Sequence, residues 1–452
     1  MRDLLLDAAN RAHRYLEELD GRPVFPTRDA IAGMGSLAGP LGDHPTDPGE
    51  VLALLDAAGS PATVATAGRR YFGFVVGGSL PAALAANWLA AAWDQPASMR
   101  ISSPVGAKLE EIALGWMIDL LGLPTGTGAG FVTGATMANF AGLAAARHRV
   151  MAAAGWDVEA DGLIGAPPIR VVVGDEAHAT LFKALGLLGL GRAAVERVAV
   201  DDQGRMRPDA LPLLDERTIL CLQAGNVNTG ASDPFPALIG AARQAGSWVH
   251  VDGAFGLWAA ASPTEAIQVQ GIGAADSWAT DAHKWLNVPY DCGLVFVRNP
   301  DDLEASFSTE ASYLIQDAPR EPMRFTPESS RRARGVEVWA ALVSLGRSGL
   351  AEMIARCCRH ARGFAEGLSG AGFEILNEVS LNQVLVAFGD DTRTDEVVAA
   401  VQAEGTCWAG WTTWRGRRAM RISVSSWATT DEDVERSIEA IISVAKGLAV
   451  SP

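Results

Sequence analysis

Lysine is scarce in this chain. Only Lys108, Lys183, Lys284 and Lys446 occur among 37 basic side chains, so arginine carries the generic surface charge. Tyrosine is as rare, with four in the chain. The five cysteines are odd in number and form no Cys-x-x-Cys pair. That argues against a zinc site and a disulfide framework, and for a reducing, cytoplasmic setting. No long apolar run is present: the richest stretch, residues 80–93, is too short and too alanine-rich to cross a bilayer. The first residues lack a signal-peptide core because Asp3, Asp7 and Arg11 interrupt them. Their apolar positions (Leu4, Leu5, Ala8, Ala12, Leu16, Leu19) predict an amphipathic helix. Positive charge is in deficit, with 53 acidic side chains and a net charge of −16. No field therefore exists to displace counterions from a nucleic acid. What is left is a soluble globular protein whose 48% hydrophobic content suffices for a large core.

Residues 1–79 read as an arm: a helix, a stretch punctuated by Pro23, Pro26, Pro40, Pro45 and Pro48, and a short helix near Val51. Such segments bury little alone and wrap other surfaces. Residues 80–338 alternate helical patterns (112–121, 137–147) with short apolar or β-branched runs (170–173, 218–222, 248–251, 293–297). Strands alternating with helices predict an α/β domain on a mainly parallel sheet. From 339 to 452, a long helical stretch, strand-like residues 383–388 and 420–424 and a last helix from Asp431 predict a smaller α/β domain. Between them, 301–337 is polar and broken by Pro319, Pro322 and Pro327. It is too long for an ordinary connection and is expected to hold a lid at about 304–330.

Four segments carry chemistry. In Ser277-Trp278-Ala279-Thr280-Asp281-Ala282-His283-Lys284-Trp285 a lysine follows a strand and sits among Trp and His. Desolvation there suits a Schiff-base amine, and a lysine snorkelling to solvent is the alternative. In Trp248-Val249-His250-Val251-Asp252-Gly253-Ala254 an apolar strand ends in a carboxylate, at the edge where open α/β sheets bind ligands. A desolvated carboxylate there needs a cation or a protonated ring nitrogen, unless it only caps the next helix. Ala254 is small enough to let a flat ring lie on the backbone. In residues 130–139 an apolar run enters Gly134, Ala135 and Thr136 and then an alanine-rich helix. Its amides and hydroxyl make an anion site or an ordinary cap. Residues 171–178 deliver His178 at another strand end, as a ring partner or a structural imidazole. The glycines of Gly126-Thr127-Gly128-Ala129-Gly130 follow a helix rather than a strand, so a nicotinamide fingerprint lacks its context.

Each segment alone is ambiguous. Together, a phosphate cradle, a stacking imidazole, a carboxylate and a lysine meet the requirements of pyridoxal phosphate. The order and spacing resemble the group II pyridoxal-phosphate-dependent decarboxylases, which include aromatic-amino-acid, histidine and glutamate decarboxylases. The matching stretches are Asp-Ala-His-Lys-Trp-Leu at 281–286, His-Val-Asp-Gly-Ala at 250–254 and Ala-Gly-Asn-Val-Asn-Thr-Gly-Ala-Ser-Asp-Pro at 224–234. Tyr-Phe-Gly-Phe at 71–74, Ser-Pro-Val-Gly-Ala-Lys-Leu-Glu at 103–110 and Arg-Ile-Ser-Val-Ser at 421–425 also match.

The resemblance implies the α/β architecture of a fold type I pyridoxal-phosphate enzyme: a large domain on a mainly parallel seven-stranded sheet, a smaller C-terminal α/β domain and an N-terminal arm. It implies decarboxylation of an L-amino acid to its amine, with Lys284 forming the internal aldimine and Asp252 keeping the ring nitrogen protonated. His178 stacks on the ring opposite Ala254, while Ala135, Thr136 and His283 belong to the phosphate cradle. Tyr313, in Ser308-Thr309-Glu310-Ala311-Ser312-Tyr313-Leu314, matches the family's proton-donating loop tyrosine. Phe74, Arg100 and Arg334 are the expected substrate contacts, with a surface salt bridge as the alternative for Arg100 and anchoring of the lid as that for Arg334. A homodimer with shared active sites is also implied. Other reactions on the same fold (carbon–carbon lyase, aldehyde synthase, aminotransferase) remain alternatives. Asp281, Met137 and Val76 depart from residues found in many relatives, and a carboxylate at 281 is unfavourable beside phosphate unless it turns away or meets an arginine.

Overall fold

A computed structural model describes residues 1–309 and 320–448, and the contacts among them divide the chain into two units. One unit comprises Met1–Val76, Gly363–Leu376 and Leu385–Pro452, the other Gly77–Arg362 and Asn377–Val384. Of the expected arm, 1–79, residues 1–76 thus share their unit with the C-terminal residues, and 77–79 belong to the other. The expected boundary after 338 falls inside a helix, and the contacts divide the chain after Arg362 instead.

The first unit begins with α1 (Arg2–Glu18), α2 (Arg28–Gly33) and α3 (Pro48–Gly59). The amphipathic helix expected from the leucine spacing is α1, and its Arg11 and Arg14 both reach Asp56 of α3. Asp47 accepts from the amides of Gly49 and Glu50 at the start of α3, with Pro48 at the first helical position, where no N–H is needed.

The second unit runs α4 (Pro81–Trp93), α5 (Pro104–Leu120), β1 (Gly128–Val132), α6 (Ala135–Ala153), α7 (Val158–Asp161), β2 (Arg170–Gly174), α8 (Ala179–Leu187) and β3 (Glu196–Val198). It continues with β4 (Thr218–Gln223), α9 (Phe235–Gln244), β5 (Trp248–Asp252), β6 (Ser277–Asp281), β7 (Gly293–Val297) and α10 (Pro300–Phe307), and leads into α11 (Gly335–Gly370). Its sheet has seven strands in the order β1-β7-β6-β5-β4-β2-β3, as the resemblance implied. Strands β6, β5, β4, β2 and β3 are mutually parallel, and β7 is antiparallel to both neighbours. Every residue of β5, β6 and β7 is buried, the signature of a sheet covered on both faces. Part of that cover is α6, whose alanines (Ala138, Ala141, Ala144, Ala145) are buried and let the helix axis approach the strands closely.

Parallel strands end at one edge. His178 follows β2, Asp252 ends β5 and Lys284 follows β6, so the topology gathers at that edge three residues far apart in the chain.

The C-terminal part of the first unit adds β8 (Glu374–Ile375), β9 (Gln383–Ala387), α12 (Asp391–Glu404), β10 (Gly410–Trp414), β11 (Arg417–Ser423) and α13 (Asp431–Gly447). The four strands pair in the order β10-β11-β9-β8, and Thr430 with Asp433 closes a capping box on α13. Among the described helices only α11 is long and apolar enough to cross a membrane. It is broken at Gly346, whose φ of 60° is left-handed, and it buries Cys357, Cys358, Ala361, Phe364 and Leu368 within the protein.

Candidate active site

Strand β5 is apolar until its last residue, so it carries the Asp252 carboxylate to a site where the side chain is only 5% exposed. Its Oδ2 accepts from Asn139 Nδ2 at 3.1 Å and its Oδ1 from the Ala254 amide at 3.2 Å. Among the described residues no basic side chain pairs with it, and a buried carboxylate without a cation calls for a positively charged partner from outside the chain. His178 and Asp252 line the same cavity, together with Gln223, Asp233 and Cys221. His178 begins α8, where its Nδ1 accepts from the Thr180 amide at 3.3 Å and lies 2.7 Å from the Thr180 hydroxyl. These contacts fix the imidazole's place beside the cavity.

The neighbouring strand supplies the lysine. Asp281 ends β6, is 3% exposed, and lies with its Oδ2 3.1 Å from Lys284 Nζ. Its Oδ1 accepts from the Ala135 amide at 2.6 Å, at the start of α6. The carboxylate that looked unfavourable in the sequence has therefore found a cation and a helix N-terminus. His283 closes the same corner. Its Nδ1 accepts from the Cys292 amide at 3.1 Å, and burial pushes its basicity down, so the neutral ring carries its proton on Nε2, 3.7 Å from Asp281 Oδ1. Thr136 is the second residue of α6, half-buried beside the Ala135 amide.

The residues present fit pyridoxal phosphate. A lysine amine, a buried carboxylate without a cation, an imidazole on the same cavity, and a helix N-terminus with a donor imidazole are all in place. Ala254 follows Asp252 by two residues, and its carbonyl accepts from the Asp281 amide at 2.9 Å, tying the ends of β5 and β6 together.

The expected substrate contacts are more scattered. Arg334 is 6% exposed; its Nε donates to the Asp291 carbonyl and carboxylate at 3.1 and 3.0 Å, and its Nη1 has no hydrogen-bond partner among the described residues. Arg100 directs its guanidinium to Glu111 at 3.0 Å, in a half-exposed ion pair. Phe74 belongs to the first unit, is 65% exposed, and stacks on Trp408. Tyr313 lies outside the described residues. Sequence reasoning assigned no role to Asn139, His250 or Ser277, which are buried behind Asp252 and linked by hydrogen bonds. Two signals pointed there: His250 shares a strand face with Asp252, and Asn139 lies one helical turn beyond Ala135.

Comparison with known proteins fits this geometry. Residues 63–389 match the pyridoxal-dependent decarboxylase conserved domain. Tryptophan decarboxylase 1 of Oryza sativa subsp. japonica is 26% identical over 412 residues, covering 82% of this chain and 79% of that protein. Phenylacetaldehyde synthase of Arabidopsis thaliana is 26% identical over 429 residues, covering 88% and 86%. The crystal structure of Oryza sativa TDC with PLP and tryptamine superposes with a TM-score of 0.90 at 22% identity, over 99% of this chain and 98% of that one.

Proposed function

The chain belongs to the pyridoxal-dependent decarboxylase family, enzymes that use pyridoxal phosphate as carboxy-lyases, and from that premise we propose that it removes the α-carboxylate of an L-amino acid and releases the amine. The observation that carries this reading is the buried Asp252 carboxylate, which has no cationic partner among the described residues and ends the strand beside the one that leads to Lys284. Bound there, pyridoxal phosphate supplies an aldehyde for an amine and a protonated ring that accepts the electron pair left when carbon dioxide departs.

The chain's own residues do the rest. Lys284 would be the amine that holds the cofactor, and Asp281, 3.1 Å from its Nζ, offsets the charge of its ammonium form. Asp252 would hold the proton of the ring nitrogen, and His178 and Ala254 would hold the ring. The Ala135 and Thr136 segment of α6, with the Nε2–H of His283, receives the phosphate. Arg334 would offer Nη1, which has no hydrogen-bond partner among the described residues, to a substrate carboxylate. The Tyr313 hydroxyl returns a proton to the α-carbon. We also infer a homodimer in the cytoplasm. The exposed Trp88, Leu89 and Trp93 of α4 make an apolar face suited to a second copy, and all five cysteines are buried thiols outside any disulfide.

Purified protein given pyridoxal phosphate and each standard L-amino acid should release carbon dioxide and amine in equal amounts, and should size as a dimer. Lys284→Ala should lose the cofactor adduct that borohydride traps. Keto acid as the main product would defeat the reading. The second reading, oxidative aldehyde formation, is favoured by the Arabidopsis relative's coverage; aldehyde from the parent protein would select it. Tyr313→Phe should move the product from amine towards aldehyde if Tyr313 is the donor.

A further inference from the structure

Behind Asp252 the structure holds a run of four buried side chains, each hydrogen-bonded to the next. Trp248 Nε1 donates to Ser277 Oγ at 3.0 Å, Ser277 Oγ lies 2.8 Å from His250 Nδ1, and His250 Nε2 lies 2.9 Å from Asn139 Oδ1. Asn139 Nδ2 then donates to Asp252 Oδ2 at 3.1 Å. Asn139, His250 and Ser277 are fully buried and Trp248 is 7% exposed.

The chemistry of the two ends fixes the sense of every bond. Indole N–H donates only, so Ser277 Oγ accepts from Trp248 and has its own proton to give. A carboxylate accepts only, so the Asn139 amide nitrogen must face Asp252 and its carbonyl oxygen must face His250. Turning the amide over would set two acceptors, Oδ1 and Oδ2, against each other. The His250 nitrogen facing Asn139 must therefore carry the proton. Burial pushes His250 down to about 4, so at neutral pH the other nitrogen, Nδ1, is bare and takes the Ser277 proton. Every link joins one donor to one acceptor, and no bond runs backwards.

We propose that Asn139 and His250, backed by Ser277 and Trp248, are positioning residues that hold the Asp252 carboxylate in the rotation that faces the pyridine nitrogen. The proposal rests on the pyridoxal-phosphate reading of the site. Three elements supply the relay. His250 and Asp252 share one face of β5, Ser277 stands opposite His250 in the β5–β6 register, and Asn139 projects from α6. Gly142 makes room for it, since a Cβ there would come within 2.8 Å of His250 Cε1 and 2.9 Å of Nδ1. With one carboxylate oxygen held by Asn139 and the other by the Ala254 amide, Asp252 cannot turn without breaking a buried hydrogen bond.

The test compares cofactor binding with folding. In His250→Phe and Asn139→Leu the dissociation constant for pyridoxal phosphate should rise about tenfold or more, and the visible absorbance band of the bound cofactor should shift. His250→Gln should stay within about threefold of the parent, because a glutamine amide can accept from Ser277 and donate to Asn139. Gly142→Ala, which only displaces the imidazole, should weaken binding in the same sense. Unfolding of the apoproteins serves as the control. If the first two variants lose thermal stability yet bind the cofactor with parental affinity and spectrum, the relay merely packs the core and the proposal falls. If either large change fails to fold, Gly142→Ala and Ser277→Ala decide: parental affinity and spectrum in both overturn it, and weakened binding supports it. A parent protein that binds no pyridoxal phosphate would instead overturn the reading of the site itself.

Discussion

Behind Asp252, neutral side chains pair end to end and each of their polar atoms has a partner, whereas around Glu110 and Glu337 buried arginines and carboxylates meet and leave polar atoms without one among the described residues. In that second region Arg331 gives Nη2 to both oxygens of Glu110, at 3.1 and 2.8 Å, and Nη1 to the Phe131 carbonyl. Arg320 adds Glu110 Oε1 at 3.3 Å and the Ala129 carbonyl at 2.6 Å. Arg332 Nη1 lies 2.6 Å from the fully buried Glu337, whose carboxyl burial pushes up while Arg332 pulls it down. Yet Arg331 Nε and Arg334 Nη1 find no hydrogen-bond partner among the described residues.

The difference lies in what each kind of contact can specify. Charge attraction is weakly directional, so a cluster of ions joins the segment from Arg320 to Arg334 to α5 and β1 without using every donor. Neutral hydrogen bonds in a dry interior work only in one orientation, so a complete chain of them sets a side-chain rotation. The first arrangement anchors the backbone, and the second aims a carboxylate.

Three measurements would break or sharpen this contrast. The largest effect is expected from Arg331→Leu, which strips Glu110 of its bidentate partner. Loss of one member of a buried pair costs about 3–5 kcal/mol, and the lower end applies here because Arg320 remains. Urea denaturation reads it, and a loss below about 1 kcal/mol would show that the charged cluster anchors nothing.

The next effect concerns pH. His250 is held near 4 against an ordinary 6.5, so its contribution is fully present above pH 6.5 and disappears as pH falls through about 4. Over that window it amounts to about 3 kcal/mol. Asp233 works in the opposite sense. Burial pushes it up to about 6 from 3.8, so it penalises the fold progressively as pH rises between those values. The parent should show a partly cancelled pH dependence, and His250→Gln should expose the Asp233 slope. Identical slopes between about pH 4.5 and about pH 7.5 in parent and variant would mean that the imidazole is not kept neutral by the fold.

The smallest effect is Arg100→Ala. Its pair with Glu111 is half-exposed and screened, and should be worth less than about 1 kcal/mol by thermal unfolding. A larger loss would show that burial does not govern the arginine contacts of this unit.

Much of the site was legible because its signals are local. A scarce lysine after a strand, a carboxylate ending an apolar run and small residues opening a helix are each contained in about ten residues, and their order matched a family pattern. Asp281 was legible as an oddity but not as a solution, since its partners are an amide 146 residues away and a lysine three residues on. The ion pairs of Arg331 with Glu110, 221 residues apart, carry no sequence signal at all.

The amino-acid sequence by itself determined the cofactor chemistry: Lys284, Asp252 and His178 each follow or end a strand, and parallel strands must deliver their ends to one edge. Only the tertiary structure decided what surrounds those groups. Ser277 stands beside His250 because β6 pairs with β5 in one register, and Asn139 reaches both His250 and Asp252 because α6 crosses that face of the sheet. Strand register and helix crossing are set by the packing of the whole core, which no short stretch of the chain records.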